Sequence, residues 1–102
     1  MTQASIDMTV PASHPALPGH FPGQPIVPGV VLLALVHEQA CQHLAFAAGA
    51  TRWARIKFLR PILPDQPFRL IIDGDQVRFS FRIETSAGEA VARGQCRHAE
   101  LA

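Results

Sequence analysis

A helix that is apolar on every side has to be covered on every side, and "VVLLALV" (30–36) begins such a helix. Pro28-Gly29 is a helix-opening pair, and the helical pattern is expected to run to about Ala48, with Gly49 as its C-cap. Polar residues enter only from His37 onward. The apolar run is too short to cross a bilayer, so the segment predicts a buried core helix in a soluble protein.

The material available to cover it reads as strand after strand. In "SIDMTV" (5–10), Ile6, Met8 and Val10 alternate with polar neighbours. "WARIKFLR" (53–60) and "FRLIID" (68–73) follow the helix, and Asp73-Gly74 is a hairpin signal. In "QVRFSFRIE" (76–84), Val77, Phe79, Phe81 and Ile83 alternate without a lapse, which predicts one buried and one wet face. Ser86-Ala87-Gly88 is a second turn, before "EAVARGQCRH" (89–98). The alternating set Ala90, Ala92, Gly94 and Cys96 is uniformly small, as if to let the helix lie close. The fold class is therefore α+β, one domain over 1–102, with a long central helix wrapped by a curved, mostly antiparallel sheet of about five strands. With 102 residues, 48% of them hydrophobic, a core is affordable in size, but one small sheet leaves part of the helix bare. Pairing of two such chains is the expected remedy.

Between the first strand and the helix, residues 11–28 hold six of the nine prolines, and Pro22, Pro25 and Pro28 recur at every third position. Proline fixes φ and pushes its predecessor toward extended conformations, so this segment should be stiff. It carries His20 and ends on the helix start. A net charge of +1 gives no reason to expect nucleic acid or a membrane surface as partner. Cys41 and Cys96 are far apart with no CxxC spacing, which reads as reduced thiols. The first residues, "MTQASIDMTV", carry neither a basic nor an apolar leader region, so a cytoplasmic protein is expected.

The stretch "HPALPGHFPGQPIVPGVVLL", together with "RIKFLRPILPDQ" and "GEAVARGQCR", resembles the hotdog-fold 3-hydroxyacyl-acyl-carrier-protein dehydratases. The short form is similar to the smaller dehydratase-like members associated with aryl-polyene and related pigment pathways. The resemblance implies a helix inside a curved sheet, edge-to-edge dimers and active sites in tunnels at the dimer interface. It also implies acyl-carrier-protein or CoA thioester substrates, chemistry of the fatty acid biosynthesis type, and no cofactor.

Removing water from a 3-hydroxyacyl thioester takes a base for the α proton, a donor for the developing enolate oxygen, and an acid for the departing hydroxyl. By motif position His20 matches the family's base, and a neutral imidazole suits that task near pH 7. Gly29 matches the glycine whose backbone N–H polarises the thioester carbonyl, at a helix end where amides are unpaired. The prolines then fix the distance between the two. The family's acid falls at Ala34, which has no proton to give. Glu38, one helical turn on, shares that face and leans back toward it, so burial favouring its protonated form would let it replace the acid. The plain alternative is a solvated helix end, since Gln39, Gln42 and His43 follow.

Phe21, Val30 and Val31 are the expected apolar lining. His37 and Cys41 have the spacing of two metal ligands but lack a clear third, so packing is expected and no metal. His14 is expected to shape the loop. Arg52, Arg55, Lys57 and Arg60 form a basic cluster that either docks the acidic helix of an acyl carrier protein or is an ordinary solvated face. Two functions from different classes fit: a dehydratase acting as a homodimer, and a non-catalytic or heterodimer-partner subunit that binds acyl chains. A thioesterase fits less well, because the loop has the dehydratase pattern.

Overall fold

The computed structural model describes residues 2–15 and 26–100. Its elements are β1 (Thr2–Met8), α1 (Gly29–His43), β2 (Thr51–Phe58), β3 (Phe68–Gly74), β4 (Arg78–Thr85) and β5 (Ala90–His98). The strands form one sheet in the order β1-β3-β4-β5-β2, and every neighbouring pair is antiparallel. The expected α+β architecture of one helix against a five-stranded sheet is what the chain forms.

Period-two alternation decides which face the helix meets. On β4, Phe79, Phe81 and Ile83 are buried while Arg78, Ser80 and Arg82 are exposed. Register stacks Ile72 beside Phe81 and Leu70 beside Ile83, and sets Ile83 against Ala92 and Phe79 against Cys96. Leu32, Val36 and Ala40, four residues apart on α1, bury against this inner face. Each fully buried Val or Leu contributes about 1.5–3 kcal/mol, so this stripe is a main source of the helix's stability.

The small residues of β5 are used differently from expectation. A Cβ on Gly94 would run into the Ile56 side chain and lie 2.8 Å from the Phe81 ring. The space above Gly94 is therefore filled from the flanking strands, with Trp53 standing edge-on to Phe79 and Phe81, and not by the helix. Ala90, the first of the set, is exposed.

Three other expectations are corrected. The helix ends at His43 rather than Ala48, because Ala45 turns left-handed (φ 53°) and sends Phe46 into the core. The amides of Leu44 and Phe46 both donate back to the Ala40 carbonyl, closing the end. Gly49, the expected cap, instead gives room to His98: a Cβ there would lie 2.8 Å from the ring Nε2. The β3–β4 turn falls on 75–78, where Asp75 Oδ1 accepts the amides of Val77 (2.8 Å) and Arg78 (3.0 Å), while Asp73 and Gly74 stay in the ladder. Those two amides hold the Asp75 carboxyl below its ordinary value.

The helix is also not covered all round. Val31, Leu32, Val36 and Ala40 face inward, whereas Val30 is 75% exposed and Ala34 and Glu38 on the same side are exposed too. One chain covers one side of its helix. Among the described residues, no helix is long and apolar enough to cross a membrane.

Candidate functional site

The start of α1 is electrostatically open. Its N-cap is Pro28, which supplies no side-chain hydrogen bond, and no acidic residue lies in the first turn. The Val31 and Leu32 amides donate to the Pro28 carbonyl at 3.0 and 3.2 Å. Helix geometry leaves the Gly29 and Val30 amides with no partner inside the helix, at the positive end of its dipole.

Phe58, the last residue of β2, packs its ring directly on Gly29: a Cβ would meet the ring at 2.8 and 3.0 Å. Around this contact the exposed large apolar residues gather in sequence neighbourhoods that the backbone ties together: Ile26, Val30, Phe58, Leu59 and Leu63. Val27 donates to the Ile62 carbonyl (2.8 Å), which joins the helix approach to the β2–β3 loop. Leu59 donates to the Val91 carbonyl (2.7 Å), which fixes the end of β2 to β5. Among the described residues these amides have no partner within the helix and lie beside exposed apolar side chains, a setting in which a hydrogen bond is stronger than in water.

The site residues expected from the sequence divide as follows. Gly29 and Val30 are at this open helix start, while Val31 turns into the core. His20 and Phe21 lie outside the described residues. Ala34 and Glu38 share the bare stripe of α1, and both are exposed among the described residues. His37 Nδ1 stands 3.9 Å from Cys41 Sγ and its ring is edge-on to Phe46 at 5.7 Å. Among the described residues, no group of three potential metal ligands forms. The His14 amide closes a turn on the Pro11 carbonyl (2.9 Å).

The basic cluster is reorganised by the fold. Arg60 is occupied, donating to Glu89 (2.8 Å) and to the Ala90 carbonyl (3.1 Å). Arg52, Arg55 and Lys57 are joined on the outer sheet face by arginines of β4 and β5 that cluster reasoning overlooked. Register sets Lys57, Arg93 and Arg82 in one row, and Arg52, Arg97 and Arg78 in another. The rows are about 13 Å apart, four residues along a strand. Of these six, only Arg82 has an ion pair among the described residues, with Glu84 at 3.1 Å. The exposed arginines of "VRFSFRIE" and "AVARGQCRH" alternate with buried positions, so the signal was present in the same alternation that located the strands.

A groove of about 710 Å³ lies on this outer face among Arg55, Lys57, Arg82, Arg93 and Asp73. Its lining is about equally polar and apolar and holds no histidine or thiol, whereas the helix start sets backbone donors beside exposed apolar side chains.

The family model described as ApeI dehydratase, ApeI-like, matches residues 1–95. The 3-hydroxyacyl-[acyl-carrier-protein] dehydratase FabZ of Thermomicrobium roseum is 32% identical over 96 residues, covering 84% of this chain and 61% of that protein. FabZ of Thermus thermophilus is 32% identical over 96 residues, covering 83% and 64%. The chain thus spans a little over three fifths of the length of these curated relatives. Among solved structures, the dehydratase heterocomplex ApeI:P from Xenorhabdus doucetiae superposes with a TM-score of 0.77 at 25% identity, covering 93% of this chain and 85% of that one. The (R)-hydratase of A. caviae (TM-score 0.70, 15% identity, 95% and 94% covered) shares the fold. With the hotdog architecture, the open helix start and a family match over nearly its whole length, the chain belongs to the ApeI-like dehydratase family.

Proposed function

We propose that this chain dehydrates (3R)-hydroxyacyl thioesters to trans-2-enoyl thioesters, with the thioester carbonyl held at the start of α1. The observation that carries this reading is the uncapped helix end, where Gly29 lies under the Phe58 ring in an exposed apolar patch. In the reaction His20 takes the α proton while the Gly29 N–H donates to the carbonyl oxygen, which gains charge as the enolate forms. The electron pair then makes the α–β double bond, the β C–O bond breaks, and an acid protonates the leaving hydroxyl to give water. Glu38 is the candidate acid.

The bare side of α1 and the apolar patch support pairing with a second hotdog subunit, which would wall the site. A specific observation favours a second reading. Ala34 faces outward on that side, and Glu38 stands about 6 Å farther along the axis. In a heterodimer this chain would supply His20 and Gly29, and a related subunit would supply the acid across the interface. The ApeI:P relative is itself a heterocomplex.

The two cation rows of the outer face support a carrier-borne substrate, because an acidic carrier helix is complementary to them. Lys57 lies on that face and its neighbour Phe58 on the site, at an edge strand, so the step from docking surface to helix start is short. A cytoplasmic setting fits the two free thiols.

Turnover of a 3-hydroxyacyl thioester by the purified chain tests the reading. If Glu38 is the acid, Glu38→Gln lowers kcat by about 100-fold or more, the range for losing a general acid. Undiminished turnover in that variant removes Glu38 from the mechanism. An inert chain that gains activity through co-expression with a related subunit establishes the paired reading instead, and a gain through Ala34→Glu shows that only the acid was lost.

A further inference from the structure

The loop between β2 and β3, "RPILPDQP" (60–67), holds both ends of the proline-rich segment that carries His20. At the entry side, the Asp65 amide donates to the Val10 carbonyl (2.8 Å) and Asp65 Oδ1 accepts the Ala12 amide (3.2 Å). At the exit side, the Ile62 carbonyl accepts the Val27 amide (2.8 Å). Ile62 and Asp65 are three residues apart, so the two tie points are at most about 10 Å from each other. The bracket itself is stiff. Pro61, Pro64 and Pro67 limit its backbone, Ile62 is 1% exposed in the core, and Gln66 bonds twice to Leu63, its amide to the carbonyl at 3.1 Å and its Oε1 from the amide at 3.0 Å. Asp65 adopts a left-handed φ of 66°, which a short acidic side chain tolerates better than most and which turns its carboxylate toward Ala12.

We infer that Asp65 is a positioning residue for the proposed dehydration: with Ile62 it fixes where the chain leaves and re-enters the body of the fold on either side of His20. The inference rests on the functional reading above. Of the three ties, two are backbone to backbone and survive any substitution that keeps the loop's shape. Only the Ala12 tie depends on a side chain, and that makes Asp65 separable from the fold.

Two variants separate the roles. Asp65→Gly accepts the left-handed φ without cost and keeps the amide bond to Val10, but it loses the acceptor for Ala12. Asp65→Asn keeps an acceptor at the same reach and also tolerates that φ. The expected result for Asp65→Gly is a melting temperature only a few degrees lower, Ala12 amide exchange about tenfold faster and kcat about tenfold lower. KM should stay within about twofold, because the carbonyl is held at Gly29. Asp65→Asn should restore both exchange and kcat. Wild-type kcat in Asp65→Gly, or an equal loss in Asp65→Asn, overturns the inference. If the wild-type chain shows no turnover in any assembly, the functional reading has failed and the His20 imidazole resonances decide separately. A shift in Asp65→Gly that reverts in Asp65→Asn sustains the positioning role, and unchanged resonances end it.

Discussion

A Cβ on Gly29 would meet the tip of the half-exposed Phe58 ring, and two residues beyond, Val31 has already turned into the core. A motif position recognisable in the sequence thus has a neighbour that the sequence does not display. His98 is the converse case, a buried histidine (3% exposed) with no sequence signal. Its Nε2–H donates to the Ala48 carbonyl at 2.7 Å and its Nδ1 accepts the Glu100 amide at 3.1 Å, the pattern of a neutral ring. Ala48 is fifty residues away along the chain, which is why no local pattern announces the bond. The two cysteines are distinguished in the same way. Burial pushes the Cys96 thiol up to about 11 from 9.0, only partly offset by a hydrogen bond with Thr51, whereas Cys41 is exposed. The native chain should therefore take up one equivalent of a thiol reagent, at Cys41, with Cys96 reacting only on unfolding. Because the folded thiol keeps its proton longer than the unfolded one, its contribution to stability is whole below 9.0 and is lost as pH rises toward 11. Thermal melts across that interval should fall more steeply in the wild type than in Cys96→Ala. Equal labelling of both thiols in the native state would contradict the burial argument.

Among the elements, β4 and β5 were legible because burial alternates along most of their length, from Arg78 to Ile83 and from Ala92 to His98, and register then sets the cross-strand neighbours there. The helix was legible in its start and its inner stripe but not in its end. The pattern "HLAFAAGA" is compatible with continued helix, and only the pull of Phe46 into an aromatic cluster with His37, Phe79 and His98 stops it. A bare side was legible as well, because one small sheet leaves part of an all-apolar helix uncovered. That difference is testable with two substitutions on α1. Val36→Ala, in the buried stripe, should cost about 2 kcal/mol of stability. Val30→Lys, on the bare side, should leave the single chain's melting temperature nearly unchanged but weaken subunit association tenfold or more, read by sedimentation equilibrium across a range of concentrations. An association that ignores Val30→Lys would mean that the bare side is not the contact face.

For the molecule as a whole, the sheet separates two kinds of surface. Its inner face holds the helix and the core, and its outer face gathers six cations in two rows although the net charge is only +1. Like charges directly opposite one another in a sheet are mildly destabilising, so such rows make physical sense where an anionic partner relieves them. The edge strand β2 belongs to both surfaces, with Lys57 on one and Phe58 on the other. The start of the helix was legible in the motif, since its Pro28-Gly29 pair opens α1. The bracket at Asp65 was not, since its partners Val10 and Ala12 are more than fifty residues distant. The central claim is that the amides opening α1 receive the thioester oxygen. The direct measurement is a titration of the isotope-labelled chain, in its native assembly, with a 3-hydroxyacyl pantetheine thioester, following backbone amide resonances. The account predicts that the Gly29 and Val30 amide protons move downfield on binding, ahead of those on the outer face. Saturable binding that leaves both unmoved would contradict it.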